Sequence, residues 1–132
     1  MTETADPGIE GIATIGIPVT DQDRALRFYT DTLGFELRID VPLPQIGGRW
    51  IVVAPRGSEV SVALVRAGEG LPSGVETGIR FVTADAEKTH QVLQAGGVEV
   101  GELLRWPGVP AMFTAKDVDG NGFELVEAES AR

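Results

Sequence analysis

At 132 residues the chain has the size of one domain with its own core, and its 20 acidic against 11 basic side chains give a net charge of −9. That balance repels phosphate backbones and anionic lipid, which argues against nucleic acid and membrane surfaces as partners. There is no cysteine and hence no disulfide, no apolar run near the ~18 residues of a membrane span, and no basic-then-apolar leader at Met1-Thr2-Glu3-Thr4; the expectation is a cytoplasmic protein.

Met1 to Gly8 and Glu129 to Arg132 lack periodicity and read as frayed tails. From Ile12 to Val19, Ile15, Ile17 and Val19 alternate with Thr14, Gly16 and Pro18, which predicts a strand with one buried face. Asp21 is placed to cap a helix carrying Ala25, Leu26, Phe28, Tyr29 and Leu33 at helical spacing, and Gly34 ends it. Three strands follow at Phe35 to Asp40, Arg49 to Ala54 and Val60 to Val65, separated by turn material that includes Pro42, Pro44, Gly47-Gly48 and Arg56-Gly57-Ser58. Ala67 to Glu76 has the composition of a linker. Beyond it the spacing predicts a strand at Ile79 to Thr83, a helix capped by Asp85 and running to about Ala95, and strands at Val98 to Leu103, Ala111 to Ala115 and Phe123 to Val126. Asp119-Gly120-Asn121-Gly122 supplies the last hairpin turn.

The two halves repeat. Ile17-Pro18-Val19-Thr20-Asp21 returns 64 residues later as Phe81-Val82-Thr83-Ala84-Asp85, and Gly34-Phe35-Glu36-Leu37 returns at an offset of 63 as Gly97-Val98-Glu99-Val100. One domain, 1–132, is therefore expected to contain two βαβββ modules, at about 10–66 and 77–128, joined by a linker at about 67–76. The fold class is α+β.

With helices on one side of each sheet, alternation assigns Ile15, Ile17, Val19, Val62, Leu64, Ile79, Phe81, Phe123 and Leu125 to the helix-facing core. The opposite face receives Thr14, Gly16 and Pro18; Ser61, Ala63 and Val65; Gly78, Arg80 and Val82; and Glu124 and Val126. Two such faces of small residues, curving toward each other, would enclose a pocket. Arg80 and Glu124 are its two charges: Glu124 suits a base or a metal ligand and Arg80 an anion clamp, unless the two pair with each other or sit in solvent. Trp50, Trp106 and Phe113 offer flat walls, the two tryptophans equally suiting a core edge or a dimer contact. Arg49 and Trp50 alternate, so only one of them can face the pocket. The lone histidine, His90, is expected to face solvent from mid-helix.

Val19-Thr20-Asp21 leading through Arg27-Phe28-Tyr29 to Leu33-Gly34-Phe35, with Ala111-Met112-Phe113 and then Asp117-Val118-Asp119-Gly120-Asn121-Gly122-Phe123-Glu124-Leu125, resembles the vicinal oxygen chelate superfamily of glyoxalase I, extradiol dioxygenases, and fosfomycin and bleomycin resistance proteins. The resemblance implies paired modules forming a cup-shaped mixed sheet with helices on its convex side, usually in a homodimer. In metal-dependent members, side chains from the first and last strands of each module hold a divalent cation, and those positions fall here on Thr14, Ala63, Gly78 and Glu124. Only Glu124 is of ligand type, and a slip to Ile15, Val62, Leu64 or Thr77 does not mend the set, so no firmly held metal or other cofactor is expected, a divalent ion recruited by Glu124 together with a substrate being the disfavoured alternative.

The functional expectation is a metal-free small-molecule binding protein of the glyoxalase and bleomycin resistance type. Its cup, lined by Thr14, Ser61, Arg80, Glu124, Trp50, Trp106 and Phe113, would hold an aromatic or cationic ligand. An isomerase, epimerase or lyase acting on an oxygenated small molecule with Glu124 as catalytic base is the alternative, and a regulatory module with a vestigial cup a third reading. The ligand's identity, and whether modules pair within a chain or between chains, stay open at this level. Gly68-Glu69-Gly70 lacks the Lys and Ser/Thr of a phosphate loop and reads as linker.

Overall fold

The computed structural model describes residues 5–129, so of the frayed ends expected at 1–8 and 129–132, residues 1–4 and 130–132 lie outside the described residues. Each half folds as the alternation dictates. In the first, β1 (Thr14–Val19) runs parallel to β4 (Ser61–Arg66), and β3 (Gly48–Ala54) and β2 (Glu36–Leu43) follow in antiparallel order β1-β4-β3-β2. The second repeats the plan as β5-β8-β7-β6, from β5 (Glu76–Thr83), β6 (Glu99–Val100), β7 (Met112–Lys116) and β8 (Gly122–Glu127).

A helix crosses one side of each sheet. Asp21 caps α1 (Gln22–Arg27) by accepting from the Arg24 amide at 3.1 Å, and Asp85 caps α2 (Ala86–Ala95) through the Lys88 amide at 3.0 Å. Beyond Arg27 the first helix widens into a π-helical turn, Phe28–Thr32, in which both aromatic side chains, Phe28 and Tyr29, are buried. The repeat is less regular at two strands. β2 extends to Leu43, whereas its counterpart β6 pairs over two residues only.

The helix-facing sides of the two sheets share one core. Ile17, Val19, Val62 and Leu64 of the first module belong to the same buried cluster as Ile79, Phe113, Phe123 and Leu125 of the second, with Ile15 and Phe81 packed against it. A run of rings stitches the modules: Tyr29 to Phe35 at 5.7 Å between centroids, Phe35 to Phe81 at 5.1 Å, and Phe81 to Phe123 at 5.4 Å. Each fully buried large side chain in such a cluster contributes about 1.5 to 3 kcal/mol. The polar pin between the modules is the β7–β8 turn. Asp117 accepts from the Tyr29 hydroxyl at 2.8 Å, and Asn121 donates to the Pro18 carbonyl at 2.7 Å while accepting from the Gly74 and Val75 amides. In this turn only Gly120 takes a positive φ, of 81°; Gly122 is already the first residue of β8.

Candidate functional site

With both helix-facing sides committed to one core, the other face of each sheet is turned away from it. On the first module that face carries Gly16, Ala63 and Val65, with the Thr14 and Ser61 hydroxyls bonded to each other at 2.8 Å and Ser61 also donating to the Ala13 carbonyl. Trp50 stands on it too, because Val52 pairs with Ala63 and Trp50 lies two residues before Val52. Arg49 takes the helix side, reaching Asp23 of α1 and Asp40. Strand register adds two residues that alternation had hidden: Val41 pairs with Trp50 and Ile39 with Val52, both more than two-fifths exposed. Arg38 is an extra residue at a bulge in β2, and it shifts the apolar alternation by one.

On the second module the outer face carries Arg80, Val82, Thr114, Glu124 and Val126. Arg80 donates to Glu124 at 2.9 Å, both side chains being about half exposed, and its guanidinium lies 3.8 Å from the Met112 sulfur. The pairing of these two charges across strands is thus what the structure shows. Val82, beside them, is 70% exposed. Gly78 does not continue the alternation: the β5–β8 register slips between Glu76 and Arg80, and Gly78 occupies the bulge at φ 75°.

Three sequence-based placements need correction. Phe113 is 1% exposed on the helix side, under α2, with its ring edge-on to His90, because it pairs with core-facing Leu125. Trp106 lies in the β6–β7 loop and is 59% exposed, beside Arg105, Pro107 and Glu127 in a shallow depression that the Arg105–Glu87 ion pair ties to α2. Neither belongs to the outer face with Arg80. His90 is half-buried rather than free in solvent, with Nε2 2.8 Å from the Gly101 carbonyl. Within one chain the residues assigned to a common pocket therefore fall into two groups, Thr14, Ser61 and Trp50 on one module and Arg80 and Glu124 on the other.

Two cavities lie instead along the seam between the modules. One, of about 610 Å³, is lined by Ile12, Ile15, Val60 and Val62 from the first module and Gly78 to Val82 from the second, at the edges of β1 and β5 that pair with no other strand. The other, of about 290 Å³, is bounded by Phe35, Phe81, Leu93, Phe123 and Leu125 and shares Pro55, Arg56 and Val82 with the first.

Titration behaviour is perturbed away from these faces. Burial first, and then the Asp117 charge and hydrogen bond, push the Tyr29 phenol well above its ordinary value. The Arg49 hydrogen bonds hold the Asp40 carboxyl below the usual carboxylate range, and those to Asp40 and Asp23 raise the Arg49 guanidinium.

The four positions that hold a metal in metal-dependent relatives do not form a donor set here. The Thr14 hydroxyl is engaged by Ser61, Ala63 and Gly78 have no donor, and Glu124 is held by Arg80. Among the described residues, no three His, Cys, Asp or Glu side chains gather into a cation site.

Residues 11–125 match the model of the Glyoxalase/Bleomycin resistance protein/Dioxygenase superfamily, and the chain belongs to that family. It is 33% identical over 128 residues to the protein YetH of Bacillus subtilis (strain 168), covering 90% of this chain and 99% of that one. Among solved structures it superposes on TnmS3, an antibiotic binding protein from Streptomyces sp. CB03234, with a TM-score of 0.83 at 32% identity, over 94% of this chain and 100% of that one. A superfamily member from Sphaerobacter thermophilus DSM 20745 matches with a TM-score of 0.81 at 33% identity, over 91% and 98% of the two chains. Among the described residues no helix is long and apolar enough to cross a membrane.

Proposed function

We propose that the protein is a metal-free small-molecule binder of the sequestering type, whose cup is assembled from the outer faces of two copies. The observation that carries this reading is the division of the outer-face residues between modules that turn away from one shared core. A second copy that sets its β5 edge beside β1 unites Thr14, Ser61 and Trp50 of one chain with Arg80 and Glu124 of the other. The same docking covers the seam cavity of about 610 Å³, at which Ile12 and Val82 are well exposed. The likeness to an antibiotic binding protein over nearly the whole chain supports binding rather than turnover.

The chemistry of the two faces supports an aromatic or cationic ligand. Trp50, Ile39 and Val41 give one half an apolar wall, and the net charge of −9 favours a cation through the long-range field and the ring face. Glu124, tied to Arg80, is an orienting group rather than a free base. Titration with a panel of polycyclic aromatic and cationic compounds, in a Trp106→Phe background so that Trp50 alone reports, is expected to quench fluorescence saturably. Sedimentation should return a dimer. A panel that leaves Trp50 unchanged, or a monomer that binds, sinks the reading.

A further inference from the structure

The two halves of the repeat close their inter-module contacts differently. In the first, Tyr29 is fully buried and its hydroxyl donates to Asp117 in the β7–β8 turn. By the repeat, Leu93 of α2 holds the place of Tyr29, and Pro55-Arg56 in the β3–β4 turn stand where Asp117-Val118 do. Leucine is shorter than tyrosine and carries no hydroxyl, and the turn it approaches offers a cation in place of an anion. What remains is the cavity of about 290 Å³ between Leu93, Phe35, Phe81, Phe123 and Pro55-Arg56.

The cavity wall already has the geometry for a further ring. Phe35, Phe81 and Phe123 meet edge to face at 5.1 and 5.4 Å, and an aromatic guest beside Leu93 extends that packing. Arg56 is also uncommitted. Arg24, Arg38, Arg49, Arg80 and Arg105 each pair with a carboxylate, whereas Arg56 makes no ion pair or side-chain hydrogen bond with any described residue. An apolar pocket that is rich in ring edges, with one unpaired guanidinium in its wall, selects a planar apolar body carrying a single negative charge.

We propose that this cavity is a second binding site, for a small aromatic carboxylate, with the ring in the place of the missing phenol and the carboxylate on the Arg56 guanidinium. It opens beside the seam cavity, with which it shares Pro55, Arg56 and Val82, and includes none of the cup residues Thr14, Ser61, Trp50, Arg80 or Glu124. Benzoate titrated into the intact chain at physiological salt is expected to shift the Leu93, Val82 and Leu125 methyl NMR signals saturably, with a Kd of about 1 mM or below. Benzamide, the neutral isostere, should bind about tenfold more weakly, and Arg56→Ala should erase that difference. Leu93→Tyr fills the space and should abolish binding of both compounds. Leu93→Phe, a smaller change that keeps the core apolar, should weaken both if the tyrosine variant does not fold. Absence of a saturable shift, a benzoate preference unchanged by Arg56→Ala, or binding that survives Leu93→Phe but is lost in Trp50→Ala each overturns the assignment.

Discussion

The Tyr29 hydroxyl donates to Asp117 at 2.8 Å across the boundary between the two modules, making a buried phenol of the first helix part of the last hairpin. Asp117 also receives the Asp119 and Asn121 amides, so the turn is organised around the carboxylate that the phenol touches. Tyr29→Phe is expected to cost about 1 to 2 kcal/mol in urea unfolding, because Asp117 keeps its other donors. The phenol's raised folded-state value sets the sign at high pH: its contribution is complete below about pH 10, the unfolded value, and is lost as pH rises above it. Wild-type stability should fall through that range more steeply than that of Tyr29→Phe, and parallel alkaline slopes would contradict the assignment.

Asn121 has no exposed surface and serves three backbone groups, Pro18 before the first helix and Gly74 and Val75 before β5. Asn121→Ala leaves these buried or half-buried groups unpaired, and a loss of about 3 kcal/mol is expected by chemical denaturation. Since the pin joins modules that share one core, unfolding should stay a single transition. Separate melting of the two halves would show that they are independent.

Asp40 accepts two hydrogen bonds from Arg49, at 3.1 and 2.9 Å, and Asp23 holds the same guanidinium. A carboxyl lowered in the folded state adds stability above the unfolded value of about 3.9, and that increment disappears as pH falls through the folded one. The pair is near the surface, so Asp40→Asn should cost less than about 1 kcal/mol at pH 7, and that cost should shrink as pH falls below about 3.9. Thermal melts of both proteins across that acid range give the comparison.

A cup shared between copies has a signature in mixed dimers. Copies carrying Trp50→Ala and copies carrying both Arg80→Ala and Glu124→Gln should each bind the fluorescence-quenching ligand weakly alone. Together they should recover one intact cup of two, or half the wild-type stoichiometry in the heterodimer by calorimetry. If both halves of the cup belong to one chain, mixing restores nothing.

Gly78 sits at φ 75° in the β5 bulge, with open space around the position of a missing Cβ. Gly78→Ala should therefore destabilise by about 1 kcal/mol through backbone strain alone. Gly122→Ala is a different case, since a Cβ there runs into the Glu76 carboxylate. It should displace Glu76 at little cost, because that side chain is exposed and flexible, and a loss of more than about 2 kcal/mol by denaturation would refute this.

The amino-acid sequence by itself determined the duplicated βαβββ plan, the two Asp caps and the apolar helix-facing positions from Ile15 to Leu125. Each rests on local periodicity or on comparison of the chain with itself, and neither needs knowledge of how distant segments meet. Only the tertiary structure decided that the modules join through their helix sides, because that contact depends on Tyr29 finding Asp117 and on Phe35 finding Phe81, pairs with no signature in spacing. Phe113 and Trp106 looked like pocket walls because aromatic residues suit walls and cores alike. Their sides were fixed by the pairing of Phe113 with Leu125 and by the tie of the Trp106 loop to α2. Ile39 and Val41 were hidden for a related reason, since one extra residue at Arg38 reverses the faces of a strand and a bulge is set by pairing with the neighbour, not by the strand's own sequence.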